Sequence, residues 1–279
     1  MTILFSAPVH ESNPVVINTL NNVRKYNPGC IFVLHVSTGF KDFDFSVGNA
    51  QDVLINPIRF HTIHSGTSHV PLYFTNYKHA VDCGAKFDYI CPLHTSEMFI
   101  KFGLEDYIKN YEYSLWFNEN TQPIEMAWTP LRISYQHKIF KDLFNSNDIH
   151  NYLGNLIEGN WWKRELFEKM YQWTKQRYNI MDMAWGYPCE EVYFNTLSHH
   201  LSDTKNYSHP YNCFHHKTHL VDNFKDVDDV RDNKMSTFWQ PNNWTYQKVP
   251  FPSKNLYSIK RIGRKLDDPI RMYINSLDA

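Results

Sequence analysis

The chain has 279 residues, of which 42% are hydrophobic and 20% are charged, a composition typical of a folded globular protein and not of a disordered one. Its formal net charge of −1 excludes an overall electrostatic attraction to nucleic acid or to a membrane surface, so contact with a polyanion needs a local patch. Five scattered cysteines without a Cys-x-x-Cys pair indicate a reduced, cytoplasmic protein, and no apolar stretch approaches the roughly 20 residues that a membrane-spanning helix needs.

The first half of the chain alternates predicted strands and helices. Thr2–Ala7 is an apolar strand, not a signal peptide, because no basic segment precedes it, and the amphipathic helix Val15–Tyr26 follows. Cys30–Val36 is a nearly continuous apolar run, which is typical of a buried parallel strand. This βαβ pattern predicts a ligand crevice at the carboxyl ends of the strands, where His10 and Ser37 would border the ligand.

The remaining predicted elements are the strand Asp52–Ile55, the helix Pro71–Cys83, the strand Phe87–Leu93, and the helices Trp161–Tyr178, Glu190–His200 and Pro269–Leu277. Residues 202–252 are polar and rich in Asn, Asp, His and Pro, so we expect mostly loop there. We predict one α/β domain over residues 1–279, with a mostly parallel central sheet flanked by helices. Its parts are a nucleotide-binding half (1–110), an acceptor half (111–250) and a basic tail (251–279).

Two adjacent carboxylates, Glu190 and Glu191, occupy the first turn of a predicted helix. Acidic residues are common there because the helix macrodipole stabilises them, and this alone could explain the pair. In a crevice, however, one buried carboxylate can act as a general base that removes the proton from an acceptor hydroxyl.

Between Lys248 and Arg271 the chain carries seven basic and two acidic residues. Lysine and arginine can neutralise the charge on a nucleotide diphosphate leaving group where no metal does so. A solvated basic face and a nucleic-acid patch are the two other interpretations of this segment.

Motifs for metals and for other enzyme classes are weak or missing. Asp42-Phe43-Asp44 and Asp226-Val227-Asp228 fit the Asp-x-Asp pattern that holds Mn²⁺ or Mg²⁺, but one comes too soon after the second strand and the other lies in a polar segment. No Gly-x-Gly-x-x-Gly, P-loop or Gly-x-Ser-x-Gly motif occurs, which argues against dinucleotide enzymes, P-loop kinases and α/β-hydrolases. A group of histidines lacks a zinc-binding spacing: His199, His200, His209, His215, His216 and His219. We therefore expect no metal and no cofactor.

Taken in order, several segments resemble the core-2/I-branching β-1,6-N-acetylglucosaminyltransferase family, which also includes peptide O-xylosyltransferases. Pro188–Thr196 is similar to the family's S-P-D-E-x-x-x-x-T segment, and Ile262–Pro269 is similar to its terminal F-A-R/N-K-F-D…D-P segment. Phe87–Glu97 resembles the W-x-Y-x-I-x-L-S-G-x-D-x-P segment, and Glu158–Trp162 resembles G-S-x-W/Y-x. Ile3–Val36 resembles the first strand, the helix and the second strand.

The resemblance implies a GT-A-type, Rossmann-like fold and an inverting hexosyl- or N-acetylhexosaminyltransferase that uses a UDP-sugar and, like the branching members, no metal. It makes Glu191 the catalytic base, with Glu190 as its substitute. It places the diphosphate at Lys265, helped by Arg264 and Arg261.

The resemblance also implies an acceptor side at Glu158, Trp161 and Trp162, with the indole rings stacking on the acceptor. Ser96 or Glu97 would replace the family's Gly and Asp. The family's acidic residue after the second strand, which helps to hold uridine, is here Ser37.

A glycan is the family's usual acceptor. A 5-hydroxymethylated base in viral DNA is a second interpretation, since the chain is rich in Asn, Lys, Phe and Tyr and carries a basic tail; the base would be flipped out to react. A non-catalytic protein that binds nucleotide sugars is a third. The sequence does not indicate the oligomeric state.

Overall fold

The computed structural model describes residues 1–62, 69–115, 129–154, 156–182, 189–214, 220–221, 223–234, 237–242, 245–250 and 253–278. The strands in these residues are β1 (Ile3–Val9), β2 (Ile31–Val36), β3 (Val53–Ile55), β4 (Tyr89–Pro92), β5 (Glu97–Phe99), β6 (Tyr113–Ser114), β7 (Trp162–Lys163), β8 (Tyr207–Ser208), β9 (Asn212–Phe214), β10 (Thr237–Asn242), β11 (Thr245–Pro250) and β12 (Ser258–Lys260). The α-helices are α1 (Asn13–Tyr26), α2 (Val70–Asp82), α3 (Leu104–Ile108), α4 (Thr129–Gln136), α5 (Lys138–Asn145), α6 (Arg164–Lys175), α7 (Glu190–Leu201), α8 (Phe224–Arg231) and α9 (Pro269–Ser276).

The central sheet joins seven strands in the order β3-β2-β1-β4-β7-β6-β8. Strands β3, β2, β1 and β4 pair in parallel, whereas β7 runs antiparallel to both β4 and β6. The chain moves outward from β1 to β2 and β3, and then crosses to the other side of β1 to form β4. The order of the strands therefore reverses between the paired strands β1 and β4. Open parallel sheets bind their ligands beyond the carboxyl ends of the strands at such a topological switch point.

Side chains of β1 alternate between two hydrophobic cores, one on each face of the sheet. Ile3 and Phe5 lie in the core that α1 closes, and Leu4 lies in the core that α2, α6 and α7 close. A pleated strand sends successive side chains to opposite faces, so a strand covered on both faces appears as a continuous apolar run. The predicted α/β class, with a mostly parallel sheet flanked by helices, is confirmed.

The helix predicted from Trp161 to Tyr178 begins too early. Trp162 instead pairs with Ile90 of β4 and with Tyr113 of β6, so its backbone belongs to the sheet and α6 starts only at Arg164. Pairing with strands that are distant in the chain overrides the helical pattern at this point.

The prediction of mostly loop for residues 202–252 is also wrong, because the segment contains α8 and the strands β8 to β11. Asn223 caps α8 by accepting a hydrogen bond from the N–H of Lys225 at 2.9 Å. Val227 and Val230, three residues apart, form its buried face. In the described part of the chain, no helix is long and apolar enough to cross a bilayer.

Candidate active site

The loops after β1 and β4 place polar side chains at the carboxyl edge of the sheet, on both sides of the switch point. His10 and Glu11 follow β1, and His94 follows β4. Helix α2 begins after His69, and α7 begins at Glu190. Contacts and charge interactions join these residues to others in one group, which we call the switch-point cluster: His10, Glu11, His69, Tyr73, His94, Glu97, Glu158, Glu190, Glu191, Lys260, Arg261 and Arg264.

His94 connects several members of this cluster. Its Nε2 lies 3.3 Å from the hydroxyl of Tyr73 and 3.9 Å from Oε1 of Glu158. Burial lowers the pKa of His94 well below its usual range, and the positive charges of Lys260 and His69 lower it further. The imidazole is therefore neutral near pH 7 and offers a hydrogen-bonding group without a charge.

Both carboxylate oxygens of Glu190 face His69. The backbone N–H of His69 donates to Oε2 at 3.3 Å, and Nδ1 of the same residue lies 3.4 Å from Oε1. Because His69 immediately precedes α2, Glu190 satisfies a donor that a helix start leaves unpaired. Glu190 thus joins the starts of α2 and α7, and its oxygens are engaged.

Glu191 is placed differently, although it is the next residue. Its side chain is 8% exposed, and within the described part of the chain no group donates a hydrogen bond to its carboxylate. Burial raises the pKa of Glu191 well above its usual range, the charge of Glu190 raises it further, and the charge of Arg261 lowers it. A carboxylate with a raised pKa and unused lone pairs is suited to take a proton from a ligand.

A buried lysine lies beside one buried and one partly buried carboxylate. Strand β12 pairs antiparallel with β5 and sets Lys260 opposite Glu97, and the Lys260 ammonium contacts the Glu158 carboxylate. Burial raises the pKa of Glu97 to about 7, and burial lowers the pKa of Lys260 well below its usual range. Glu97 also accepts a hydrogen bond from the Ser258 hydroxyl at 2.7 Å. Glu97 is completely buried and lies opposite Lys260; its replacement of the family's acidic residue stays a prediction.

The backbone at Gly159 holds Glu158 in this arrangement. Gly159 has a φ of +76°, and a Cβ on it would lie 2.4 Å from Cβ and 2.7 Å from the backbone N of Asn212. Only glycine permits both the left-handed conformation and this close approach.

We expect Gly159→Ala to destabilise the protein by about 1–3 kcal/mol and to move Glu158 away from Lys260. Chemical denaturation measures the loss. The matched control is Gly84→Ala, because Gly84 has nearly the same φ of +75° but nothing within 4 Å of its added Cβ. Equal losses in the free energy of unfolding would show that the contact between the added Cβ and Asn212 does not destabilise the protein.

The predicted basic tail does not form one surface. Lys260 and Arg271 are buried, whereas Arg264 is half-exposed and its Nε lies 3.1 Å from Oε1 of Glu11. Lys265 is exposed, and no contact of its side chain occurs among the described residues. The positive charges of this tail therefore lie in three places: the interior, the switch-point cluster and the exposed surface.

Arg261 is the member of the tail whose charge acts on Glu191. It has a φ of +74°, an uncommon conformation for a residue other than glycine, and its carbonyl accepts from the N–H of Val221 at 2.9 Å. No contact among the described residues joins Lys265 to Glu191, so the cation that acts on Glu191 there is Arg261.

Four other predicted site residues have identified surroundings. Ser37 is buried, and its hydroxyl accepts from the N–H of Thr62 at 3.1 Å. Ser96 is buried too, and its carbonyl accepts from the N–H of Ile262. Trp161 and Trp162 are completely buried, one in each hydrophobic core. Their placement gives no support to stacking on an acceptor, because neither ring reaches the surface.

Aspartates of the two Asp-x-Asp strings take part in contacts that stabilise the fold. Asp44 accepts from the N–H of Ser46 at 2.9 Å and caps a short 3₁₀ helix. Asp228 accepts from the Tyr273 hydroxyl at 2.7 Å and lies 2.9 Å from Nη2 of Arg231. In the residues that the structure describes, no group of three or more His, Cys, Asp or Glu side chains is arranged to hold a metal ion. Three of the grouped histidines lie outside the described residues: His215, His216 and His219.

No protein-family model matches the chain, and no curated protein matches it either. Among solved structures, the chain is similar to a nucleoside-diphosphate-sugar pyrophosphorylase from Vibrio cholerae RC9, with a TM-score of 0.40 and 10% sequence identity. The similarity covers 74% of this chain and 90% of that one. A similarity this low carries no conclusion about activity, so function must be argued from the switch-point cluster.

Proposed function

We propose that the protein is an inverting glycosyltransferase that moves a sugar from a UDP-sugar to a hydroxyl group without a bound metal. The observation that carries this proposal is Glu191. It is a buried carboxylate with a raised pKa, it accepts no hydrogen bond from the described residues, and it belongs to the cluster at the sheet's switch point.

In the proposed reaction, the acceptor oxygen attacks the anomeric carbon while its proton passes to Glu191. The bond from that carbon to the diphosphate oxygen breaks, and its electron pair leaves with UDP. Attack opposite the leaving group inverts the anomeric configuration, and Glu191 returns its proton to solvent. One positioned base is sufficient for this chemistry, and Glu191 fits the role better than Glu190, whose oxygens face His69.

The diphosphate gains negative charge as its bond to the sugar breaks. Arg264 and Arg261 belong to the cluster, and guanidinium groups bind phosphate oxygens through paired, charge-assisted hydrogen bonds. Lys265 is a third cation, exposed in the loop that joins β12 to α9. We assign the nucleotide to the ends of β1 and β2, next to His10 and Ser37.

The acceptor side is assigned to Glu158 and Ser96. A glycan hydroxyl is the acceptor that we propose, and a hydroxymethylated DNA base is the alternative that the experiment separates. Binding of a DNA acceptor would weaken steeply as salt rises, because counterions are released from the phosphates, whereas binding of a neutral glycan would change little.

A UDP-release screen tests the proposal. UDP-glucose, UDP-GlcNAc, UDP-galactose and UDP-xylose are each offered with glycan or modified-DNA acceptors, with and without EDTA. We expect release of UDP with one donor and one acceptor class, at a rate that EDTA does not change. Binding of UDP-sugar without any release of UDP would identify a non-catalytic binder and overturn the proposal.

Lys265→Ala should weaken UDP binding by about tenfold, since the variant removes an exposed cation that we assign to the diphosphate. The melting temperature should be unchanged, because Lys265 has no described contact to lose. Isothermal titration with UDP measures the affinity. Lys86→Ala is the control, because Lys86 is also exposed but precedes β4, at the opposite edge of the sheet. Equal affinities in the two variants would contradict the assignment.

A further inference from the structure

Glu11 holds the two residues that we expect to bind the donor's phosphates and its nucleoside. Its Oε1 lies 3.1 Å from Nε of Arg264 and 3.2 Å from Nε2 of His10. The backbone N–H of His10 also donates to Oε2 at 3.3 Å. The Glu11 side chain is 8% exposed and that of Arg264 is 46% exposed, so a buried anion meets a half-exposed cation.

The contacts at Oε1 are close but poorly aligned. Within the described residues, no N–H or O–H makes a hydrogen bond of good geometry to Oε1 of Glu11. Arg264 therefore contacts the carboxylate mainly through its charge, and its paired N–H groups are not saturated by this contact. A phosphate with two oxygens in reach would bind the same guanidinium more completely.

The position of Glu11 in the fold is unusual for an acidic residue. It follows β1 directly at the switch point, where open parallel sheets bind their ligands. A diphosphate held by Arg264 would meet a like charge there. The Glu11 carboxylate would therefore compete with that diphosphate for the Arg264 guanidinium.

We propose that Glu11 is an internal placeholder for the donor's diphosphate. It orients Arg264 and His10 through its carboxylate, and it gives up Arg264 to the phosphates when the nucleotide sugar binds. Glu11 is then a positioning residue that weakens the binding of UDP and so promotes release of the product. This inference rests on the proposed function.

A second role for Glu11 has the opposite consequence. Burial lowers the pKa of Arg271, and the charges of Asp268 and Glu11 partly oppose that effect. If supporting Arg271 were the main role of Glu11, its removal would lower stability and would weaken the binding of any ligand.

The two roles are separated by titrating UDP into the full-length protein and three variants: Glu11→Gln, Arg264→Ala and the double variant. We expect Glu11→Gln to tighten UDP binding by about tenfold and Arg264→Ala to weaken it. In the Arg264→Ala background, the gain from Glu11→Gln should largely disappear, because the released cation is no longer there. Glu165→Gln, an exposed site on α6, controls for the change in net charge.

Four results would overturn the inference. Weaker UDP binding and a lower melting temperature in Glu11→Gln would make Glu11 a structural residue. An equal gain with and without Arg264 would indicate simple charge repulsion. Unchanged affinity in Glu11→Gln, while the wild-type protein binds UDP, would remove the placeholder but leave the proposed function intact. If the wild-type protein binds no UDP, the proposed function itself fails, and the inference fails with it.

Discussion

Replacing Glu191 with glutamine should reduce sugar transfer to a small residual rate and leave UDP binding within about twofold of wild type. The amide has the size of the carboxylate but cannot take a proton, so the acceptor hydroxyl loses its base. Loss of a general base typically reduces the rate by about 10²–10⁴-fold. The rate of UDP release measures transfer, and isothermal titration measures the affinity for UDP.

The adjacent Glu190→Gln variant is the matched control for this result. It removes a charge from the same helical turn and weakens the pairing with His69. Glu190→Gln should therefore lower the melting temperature more than Glu191→Gln does, and reduce the rate of transfer less. Full turnover by Glu191→Gln would refute the assignment of the base. Equal loss of activity in both variants would point to the shared helix start and not to proton transfer.

The pH dependence of transfer should carry the signature of the same residue. Glu191 acts only when it is deprotonated, so kcat/KM should rise with pH and level off above the pKa of Glu191. Because burial raises that pKa, the rise should extend to higher pH than an ordinary glutamate with a pKa near 4.5 would give. The residual activity of Glu191→Gln should lack this rise.

Arg271→Met should produce the largest loss of stability that we expect from a single polar side chain. The guanidinium is completely buried and donates from Nε to the carbonyl of Gly263 at 2.9 Å and from Nη2 to the carbonyl of Thr95 at 2.6 Å. It also donates from Nη1 to Asn18 at 2.8 Å. Methionine would leave these acceptors buried and unpaired, at a cost of about 2–4 kcal/mol.

The same substitution should weaken UDP binding, because Gly263 belongs to the loop that carries Arg264. Denaturant unfolding gives the loss of stability, and titration with UDP gives the loss of affinity. Arg271→Lys keeps the charge and part of the hydrogen bonding, so its losses should be intermediate. Arg24→Met is the control: Arg24 pairs with Asp52 nearer the surface, and such pairs contribute about 0–1 kcal/mol. A loss of stability in Arg271→Met no larger than that in Arg24→Met would show that the buried hydrogen bonds of Arg271 do not stabilise the fold as expected.

The sequence predicts those parts of the fold that depend on local signals. Continuous apolar runs predict β1 and β2, and the two acidic residues before Pro269 predict Asp267 or Asp268 as the cap of the last helix, which is Asp268 in the structure. Its carboxylate accepts from the N–H groups of Ile270 and Arg271 at 3.1 and 3.0 Å, which confirms that prediction. Signals of this kind involve only neighbours in the chain.

The parts that the sequence could not predict depend on contacts between distant segments. Lys260 belongs to the cluster only because β12 pairs with β5, and no local pattern distinguishes it from the exposed Lys265. Glu11 was missed because its partner Arg264 lies at the other end of the chain. The burial of Trp161 and Trp162 could not be predicted for a related reason, since an aromatic side chain can pack in a core or stack on a ligand equally well.

The pairing of Glu190 with His69 has a mechanical consequence. The Glu190 carboxylate joins the start of α7 to the start of α2, so a shift of the turn that carries Glu191 would also have to move α2. The loop that carries Arg264 and Lys265 is tied down at Gly263, whose carbonyl accepts from Nε of buried Arg271, while the side chains of Arg264 and Lys265 extend toward solvent. We therefore expect the backbone at Glu191, the proposed base, to shift little when a ligand binds, and the side chains of Arg264 and Lys265 to make the larger adjustment.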